Sequence, residues 1–274
     1  MTRFPLKTGP LLAGLFFGAA AGADEIELAD LARIDADVVI LGEVHDNPAH
    51  HINQATAIAA LKPRALVFEM FGPDEALAAS QLPRHDAGAL AGALNWTDSG
   101  WPEFSFYHPI FLAAPDAALY GGALPRGEVR RAVEEGAAAV FGDASALFGL
   151  DDPLPDEEQT VREALQMAAH CDALPETVLP GMVEAQRLRD AALSRAIVAA
   201  MLETGGGPVA VITGNGHART DWGIPPMLAR ALPDASVISV GQLERTPDRA
   251  VPHDVWLVTD PVERPDPCAV FNRQ

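Results

Sequence analysis

Short apolar runs alternate with longer helical patterns along most of the chain. The runs are rich in β-branched residues and have the length of strands whose two faces are both covered, as in parallel sheets. The predicted strands are Val38–Leu41, Ala65–Met70, Ala118–Ala123, Val209–Thr213, Ser236–Val240 and Val255–Thr259. Because strands separated by helices form βαβ units, the pattern predicts an α/β fold with a mostly parallel β-sheet flanked by helices.

Helical patterns fill the intervals between these runs. One helix is predicted over Pro48–Leu61, with Asn47 as its N-cap and Pro48 at the first helical position. Further alanine-rich helices are predicted at Glu75–Ser80, Glu128–Phe141, Glu157–His170 and Met182–Thr204. Their concentration between residues 73 and 207 predicts a helical insertion that forms a cap beside the sheet.

Charged and imidazole side chains follow directly after several predicted strands. Glu43 and His45 follow the first strand, Glu69 follows the second, and His217 follows the strand at Val209–Thr213. Ligands of open parallel sheets bind beyond the carboxyl ends of the strands. We therefore expect these four side chains to meet at one rim of the sheet.

Two histidines with two carboxylates suit two kinds of chemistry. They form a plausible ligand set for zinc, manganese or iron, and the same groups can act as general acid and base. The predicted metal ligands are Glu43, His45, Glu69 and His217. The alternative is that each histidine caps a helix or satisfies a loop carbonyl.

The aromatic segment Trp96–Phe111 is interrupted by Gly100, Pro102 and Pro109, which predicts a loop rather than a long helix. An aromatic loop can form one wall of a site for a flat apolar ligand. Within it, Tyr107 or His108 can ligate haem iron. Core packing is the alternative interpretation of the same residues.

The predicted helix Met182–Thr204 is polar in its first half and apolar in its second. Glu184, Arg189 and Asp190 lie in the polar half. They either form a solvated face or hold the strand-end ligands in place, as residues around a bound group often do.

The first 23 residues have the pattern of a signal peptide. Arg3 and Lys7 precede an apolar stretch at Leu11–Phe17, and Ala21-Gly22-Ala23 forms a small-residue cleavage site. We expect a mature chain of residues 24–274 in the periplasm. With no cysteine near the cleavage site, lipid anchoring to a membrane is not supported, and export permits a disulfide between Cys171 and Cys268.

Composition restricts the partners. The chain has 38 acidic and 19 basic residues, a net charge of -19, and removal of Arg3 and Lys7 with the leader makes this -21. Such a charge disfavours nucleic acid and anionic lipid as partners. The sequence also lacks the G-x-S-x-G, G-x-x-x-x-G-K and G-x-G-x-x-G motifs of common hydrolases and nucleotide-binding proteins.

Several long motifs between Asp37 and Glu244 resemble those of a known family. They are LGEVHDNPAHH, VFEMF, SGWPEFSFYHPIF, AHCDALPETVLPGMVEAQRLRD and GNGHARTDWGIP. In this order they resemble the signatures of the ChaN-like haem-binding uptake proteins of the Tiki superfamily. The resemblance implies an exported bacterial protein tied to haem or iron acquisition.

The resemblance also implies a cofactor, an assembly and site residues. Haem is expected as the ligand, held in a homodimer by a tyrosine, for which Tyr107 is the candidate. The other residues expected to contact the cofactor are His108, Glu43, His45 and Arg189. The strand-end histidines and carboxylates, independently of the resemblance, give a divalent metal ion as the second cofactor expected.

The wider superfamily implies an alternative function. It includes metal-dependent peptidases and erythromycin-esterase-like hydrolases, whose active-site pattern the paired Gly-x-x-His motifs resemble. The two hypotheses are therefore a haem-binding protein of uptake and a metal-dependent hydrolase.

Overall fold

Seven strands form one sheet across the part of the chain that the structure, a computed structural model, describes: residues 23–266 and 268–269. The strands are β1 (Asp24–Glu25), β2 (Val38–Glu43), β3 (Ala65–Phe68), β4 (Ala118–Gly121), β5 (Val209–Gly214), β6 (Val237–Leu243) and β7 (Val255–Val258). Their order is β1-β7-β6-β2-β5-β3-β4, and the pairings are parallel. The predicted α/β class is confirmed. Strand β1 was not predicted, because its two residues are exposed and form no apolar run.

Ten α-helices connect and cover the described strands. They are α1 (Pro48–Leu61), α2 (Pro73–Ser80), α3 (Ala87–Ala93), α4 (Trp96–Ser99), α5 (Phe104–Ala113), α6 (Arg126–Glu135), α7 (Ala137–Phe141), α8 (Asp156–Ala169), α9 (Leu179–Glu203) and α10 (Ile224–Ala231). The start of α1 is as predicted, because the Asn47 side chain accepts a hydrogen bond of 3.0 Å from the Ala49 N–H. The helix predicted over Glu128–Phe141 is divided into α6 and α7 at Gly136, whose positive φ of 87° ends the first one.

The central strands have two buried faces, which explains their continuous apolar sequences. In β2, Val39 and Leu41 pack into the core under α1 and α5, while Val38 and Ile40 pack on the opposite face against α9 and α10. A third core lies beyond the sheet, where α6 and α7 pack on the first half of α9. The predicted insertion, residues 73–207, contains α2 to α9 together with β4; its separation as a distinct part of the domain stays a prediction.

The aromatic segment differs from the predicted loop. Its second half forms α5, and Pro109 lies inside this helix. Proline removes one helical hydrogen bond there. Tyr107, Ile110 and Phe111 are all fully buried against the sheet and α1, and this packing offsets the loss.

Cys171 and Cys268 form a disulfide that ties the end of α8 to the C-terminal segment. The predicted leader lies outside the described residues, apart from Ala23. Within those residues, no helix has the length and apolar character needed to cross a membrane.

Candidate functional site

The central strands bring their terminal polar residues to one rim of the sheet. Glu43, the last residue of β2, is paired in register with Gly214, the last residue of β5. Glu69 follows β3, which pairs with β5 on its other side. The strand order changes direction at β2, with β5, β3 and β4 on one side of it and β6, β7 and β1 on the other. Ligands of open α/β folds bind at such a switch point. We call this region the rim site.

Glu43 is the buried centre of one half of the rim site, with only 2% of its surface exposed. Its Oε1 accepts hydrogen bonds from the Tyr107 hydroxyl at 2.7 Å and from His45 Nδ1 at 2.8 Å. Its Oε2 accepts one of 2.7 Å from Gln54 Nε2 on α1. These three donors satisfy a carboxylate that would otherwise be costly to bury.

His45 connects this buried group to the open side of the rim site. Because Nδ1 is bonded to Glu43, the ring presents Nε2 toward Gly214, and its side chain is 35% exposed. The ring packs edge-on against Trp101, with 4.7 Å between ring centroids. Burial lowers the pKa of His45, but the Glu43 hydrogen bond and the negative charges of Glu69 and Glu43 raise it above its ordinary value.

Glu69 is the centre of the second half. Its Oε2 accepts hydrogen bonds from the Gly214 N–H at 2.7 Å and from the Thr213 hydroxyl at 2.8 Å, and its Oε1 lies 3.3 Å from His217 Nε2. Burial raises the pKa of Glu69, but the charges of His217 and His45 and the hydrogen bonds more than offset this. The pKa therefore lies well below its ordinary value, and Glu69 is ionised.

His217 lies between two carboxylates. Its Nδ1 is 2.6 Å from Oδ1 of Asp190, a fully buried residue of α9, and its Nε2 faces Glu69. Burial lowers the pKa of His217, yet the two facing carboxylates raise it to about 10. The ring is therefore an imidazolium at neutral pH, and it holds β5, β3 and α9 together electrostatically.

The rim site thus contains two histidine–carboxylate pairs, Glu43–His45 and Glu69–His217, with Gly214 between them. The fixed, partly exposed imidazole of His45 can accept or donate a proton at Nε2. Both ring nitrogens of His217 face carboxylates, so this residue contributes a positive charge to the structure and does not act as a free base. The arrangement is able to transfer protons to a bound molecule.

The predicted metal centre is not supported. Among residues 23–266 and 268–269, no group of three or more histidine, cysteine, aspartate and glutamate side chains is arranged to hold a metal ion. The reason is that the predicted ligands bond to protein: Glu43 to three donors, and Glu69 to Gly214, Thr213 and a protonated histidine.

Of the remaining predicted residues, Tyr107 bonds to Glu43 of the rim site and Asp190 to His217, and the others lie apart from it. Tyr107 has no exposed surface, and burial together with Glu43 raises the pKa of its hydroxyl far above the ordinary value. The His108 Nε2 atom bonds to the Arg84 carbonyl at 2.9 Å, and Arg189 is exposed on α9. Of the three α9 residues predicted to hold the ligands, Asp190 contacts His217, whereas Glu184 pairs with Arg187 and caps α7 through the Ala137 N–H.

Sequence reasoning missed Gln54 and Trp101 as contacts of the rim site. Gln54 follows His50 by four residues on α1, so it lies on the same buried face of that helix. A buried glutamine on the face toward the strand end was therefore a usable signal. Trp101 lies between helices in irregular structure, where no periodicity reports its direction.

Comparison with known proteins identifies the family. Residues 31–228 match the family described as haem-binding uptake, Tiki superfamily, ChaN. The chain belongs to this ChaN family. The match includes β2 to β5, α1 to α9 and every residue of the rim site.

One solved structure has a similar fold. The chain is similar to ChaN of Campylobacter jejuni, whose structure is described as showing cofacial haem binding, with 20% identity over 83% of this chain and 89% of that one and a TM-score of 0.62. The type III effector HopBA1 matches with 12% identity over 85% and 92% of the two chains and a TM-score of 0.46. Comparison with curated proteins gives no match. At 20% identity the likeness to ChaN of Campylobacter jejuni concerns the fold.

Proposed function

We propose that this protein is an exported haem-binding protein that takes part in haem or iron uptake. The observation that carries the proposal is the match of residues 31–228 to the ChaN family, whose description is haem-binding uptake. The similarity in fold to a ChaN that binds haem cofacially supports it. The hydrolase alternative loses its main support, since it required a metal ion at the rim site.

Tyr107, the tyrosine expected to ligate haem, is closed off in this structure. Tyr107 is fully buried between α1 and the sheet, and its hydroxyl donates a hydrogen bond to Glu43. Ligation of iron requires the deprotonated oxygen and an open approach, and the negative charge of Glu43 opposes deprotonation. In this conformation Tyr107 positions Glu43 and gives haem no access to its oxygen.

Titration of the purified mature chain with haemin tests the proposal. We expect a saturable Soret band with a fixed number of haem molecules per chain. An unrelated acidic protein serves as the reference for nonspecific uptake. A titration that never saturates, or a spectrum identical to free haemin, would contradict haem binding.

Export is tested on the cell fractions. We expect the protein in the soluble periplasmic fraction with Asp24 as its first residue, because cleavage after Ala21-Gly22-Ala23 fits the leader pattern. Mass spectrometry of the intact protein decides it. An intact Met1 or an acylated terminus would refute this part of the proposal.

The homodimer is tested by sedimentation with and without haemin. If haem is held between two copies, the sedimentation coefficient should rise on addition of haemin and the haem absorbance should move with the dimer. A haem-loaded monomer would remove the dimer from the proposal and leave haem binding in place.

A further inference from the structure

A cavity of about 580 Å³ lies along β4, the strand at one end of the described sheet. One of its walls is α2, which packs on the same face of the sheet as Leu119. The other wall is the second half of α9, which packs on the opposite face with Tyr120. A cavity bounded by elements from both faces has to pass beyond the last strand, so it opens onto the free edge of β4. We call it the β4 groove.

The edge of β4 presents main-chain hydrogen-bonding groups to the groove. Ala118 and Gly122 donate their N–H groups to carbonyls on the β3 side of the strand. Since the main-chain groups of successive residues point to opposite edges of a strand, those of Leu119 and Gly121 point away from β3. Among the described residues, the N–H and C=O groups of Leu119 and Gly121 have no hydrogen-bond partner. They form an open template for one more strand.

The open part of this edge is short and has defined ends. At one end, Arg84 donates a hydrogen bond of 3.1 Å to the Ala117 carbonyl. At the other end, the Ala123 N–H donates one of 3.0 Å to the Phe71 carbonyl. The groups between these two bonds match the length of a short peptide segment.

The position of the edge favours a single extended chain over the edge of a second sheet. Leu119 and Gly121 are buried, and α2 and α9 stand on the two sides of β4. Paired strands lie about 4.8 Å apart. The β4 edges of two copies cannot come this close, because each lies between its own two helices. A peptide without flanking helices can enter the groove.

The α2 side of the groove is apolar. Leu77, which is 66% exposed, faces the groove beside Pro73 and Ala76. An exposed leucine in a concave surface indicates a contact for apolar side chains. Every second side chain of an added strand would face this wall.

The remaining lining is acidic. Glu128 and Glu203 line the groove, and Arg195 is the one basic residue among the described residues that line it. The Arg195 guanidinium lies over the Phe141 ring, 4.7 Å from its centroid. Glu203 Oε2 accepts a hydrogen bond of 2.9 Å from the Tyr120 hydroxyl, which leaves Oε1 available to a ligand. The charge of the lining therefore complements a basic partner.

We infer that the β4 groove binds an extended peptide segment of another protein, which adds to β4 as a further strand. Hydrogen bonds to the main chain of Leu119 and Gly121 hold the segment. Its apolar side chains face Leu77, and the basic side chains that alternate with them face Glu203. In such strand addition the main chain supplies affinity and the alternate side chains supply specificity. The inference concerns a partner of the protein and does not depend on haem binding.

The test titrates three synthetic peptides into the full mature chain, followed by fluorescence anisotropy. The first is a fluorescein-labelled peptide of alternating valine and lysine, the second has glutamate in place of lysine, and the third is the first peptide N-methylated at every residue. We expect the valine–lysine peptide to bind saturably and the other two to bind about tenfold or more weakly. N-methylation removes the main-chain donors and keeps the side chains.

Amide hydrogen exchange locates the bound peptide on the strand. With the valine–lysine peptide present, the Leu119 and Gly121 amides should exchange about tenfold or more slowly, because they gain hydrogen bonds. The Tyr120 amide points to β3, so its exchange should not change. Protection of Tyr120 without protection of its two neighbours would contradict pairing at the free edge.

Two pairs of variants test the groove itself. Ala199→Trp fills the cavity and should abolish saturable binding of the valine–lysine peptide, whereas Leu202→Trp adds the same ring on α9 outside the cavity and should leave binding unchanged. Glu203→Gln should weaken binding severalfold and reduce its salt dependence. Its control is Glu157→Gln, an exposed glutamate outside the groove. Circular dichroism and thermal unfolding report the fold of each variant.

Three outcomes would overturn the inference. They are a wild-type chain that does not bind the valine–lysine peptide saturably, binding that persists in Ala199→Trp, and binding that N-methylation leaves unchanged. A wild-type dimer in sedimentation that is lost in Ala199→Trp would assign the groove to a second copy and would equally overturn a peptide partner. Haemin titration of the same samples reports the proposed function separately.

Discussion

Gly214 is the residue on which the two halves of the rim site depend. A Cβ atom at this position would lie 2.9 Å from His45 Nε2 and 3.6 Å from Glu69 Oε2. The hydrogen side chain therefore lets the imidazole rest directly on the end of β5. The glycine is required by close approach of a side chain, since its backbone conformation is not left-handed.

Gly214→Ala should displace the His45 ring and weaken its bond to Glu43. Because the partly exposed His45 side chain can swing away, we expect a loss of less than about 1 kcal/mol in the free energy of unfolding. The histidine signals in NMR spectra should change, with the His45 pKa shifted toward the ordinary value. Gly216→Ala, where an added Cβ meets nothing within 4 Å, is the control. Unchanged His45 signals in Gly214→Ala would contradict the packing described.

His217 makes stability depend on pH. Burial lowers its pKa, but Glu69 and Asp190 raise it to about 10 in the folded chain, against an ordinary value of about 6.5 in the unfolded chain. Since the folded state binds the proton more tightly, this stabilisation is complete below about pH 6.5 and is lost as the pH rises through about 10.

The wild-type free energy of unfolding should therefore fall between about pH 7 and about pH 10 more steeply than that of His217→Gln. Urea unfolding at several pH values measures both slopes. Glutamine keeps a hydrogen bond to Asp190 without a titrating proton, which isolates the charge. Parallel pH profiles would show that His217 is not the group responsible.

At the scale of elements, the contact between α6 and α9 depends on Gly181. A Cβ there would lie 2.2 Å from the Val133 carbonyl oxygen, a backbone atom that cannot move without shifting α6. The two helices therefore pack with backbone close to backbone. This contact joins the helical part around the third core to the long helix that continues under the sheet.

Gly181→Ala should lower the free energy of unfolding by about 1–3 kcal/mol, as overpacking does. Gly127→Ala in α6 meets nothing within 4 Å and should be neutral or slightly stabilising, because alanine favours helix. Chemical denaturation of both variants gives the comparison. Equal effects of the two substitutions would argue against a tight α6–α9 contact.

At the scale of the whole molecule, the disulfide between Cys171 and Cys268 closes the chain over a separation of 97 residues. Just before Cys268, Arg264 pairs with Asp46 and Glu244, so the C-terminal segment is also held by charge. The ion pairs attach this segment to Asp46 in the loop after β2 and to Glu244 after β6, and the disulfide attaches it to the end of α8. Loss of the disulfide leaves the ion pairs of Arg264 in place.

Replacement of both cysteines by serine should lower the free energy of unfolding by about 2–4 kcal/mol, since the unfolded chain regains the entropy of a long loop. Denaturation of the oxidised wild type, the reduced wild type and the double variant measures it. The reduced wild type should resemble the double variant. An oxidised protein no more stable than the reduced one would contradict a stabilising disulfide.

The sequence by itself determined six of the seven described strands, β2 to β7. Apolar runs such as Val38–Leu41 mark buried strands because a chain segment covered on both faces must be apolar on both. Asn47 and Pro48 determined the start of α1, since a cap acts within its own few residues. Parallel strands end at one rim of the sheet, so the sequence alone predicted that Glu43 and Glu69 lie at the same rim.

Tertiary structure alone decided what those side chains do. The Tyr107 hydroxyl donates its hydrogen bond to Glu43, and the charged ring of His217 lies between Glu69 and Asp190, through contacts between segments distant in the sequence. Pro109 is accommodated in α5 because burial outweighs a single lost hydrogen bond. Local patterns report which face of an element is apolar, whereas the donor that satisfies a buried carboxylate is chosen by packing among segments far apart in the chain.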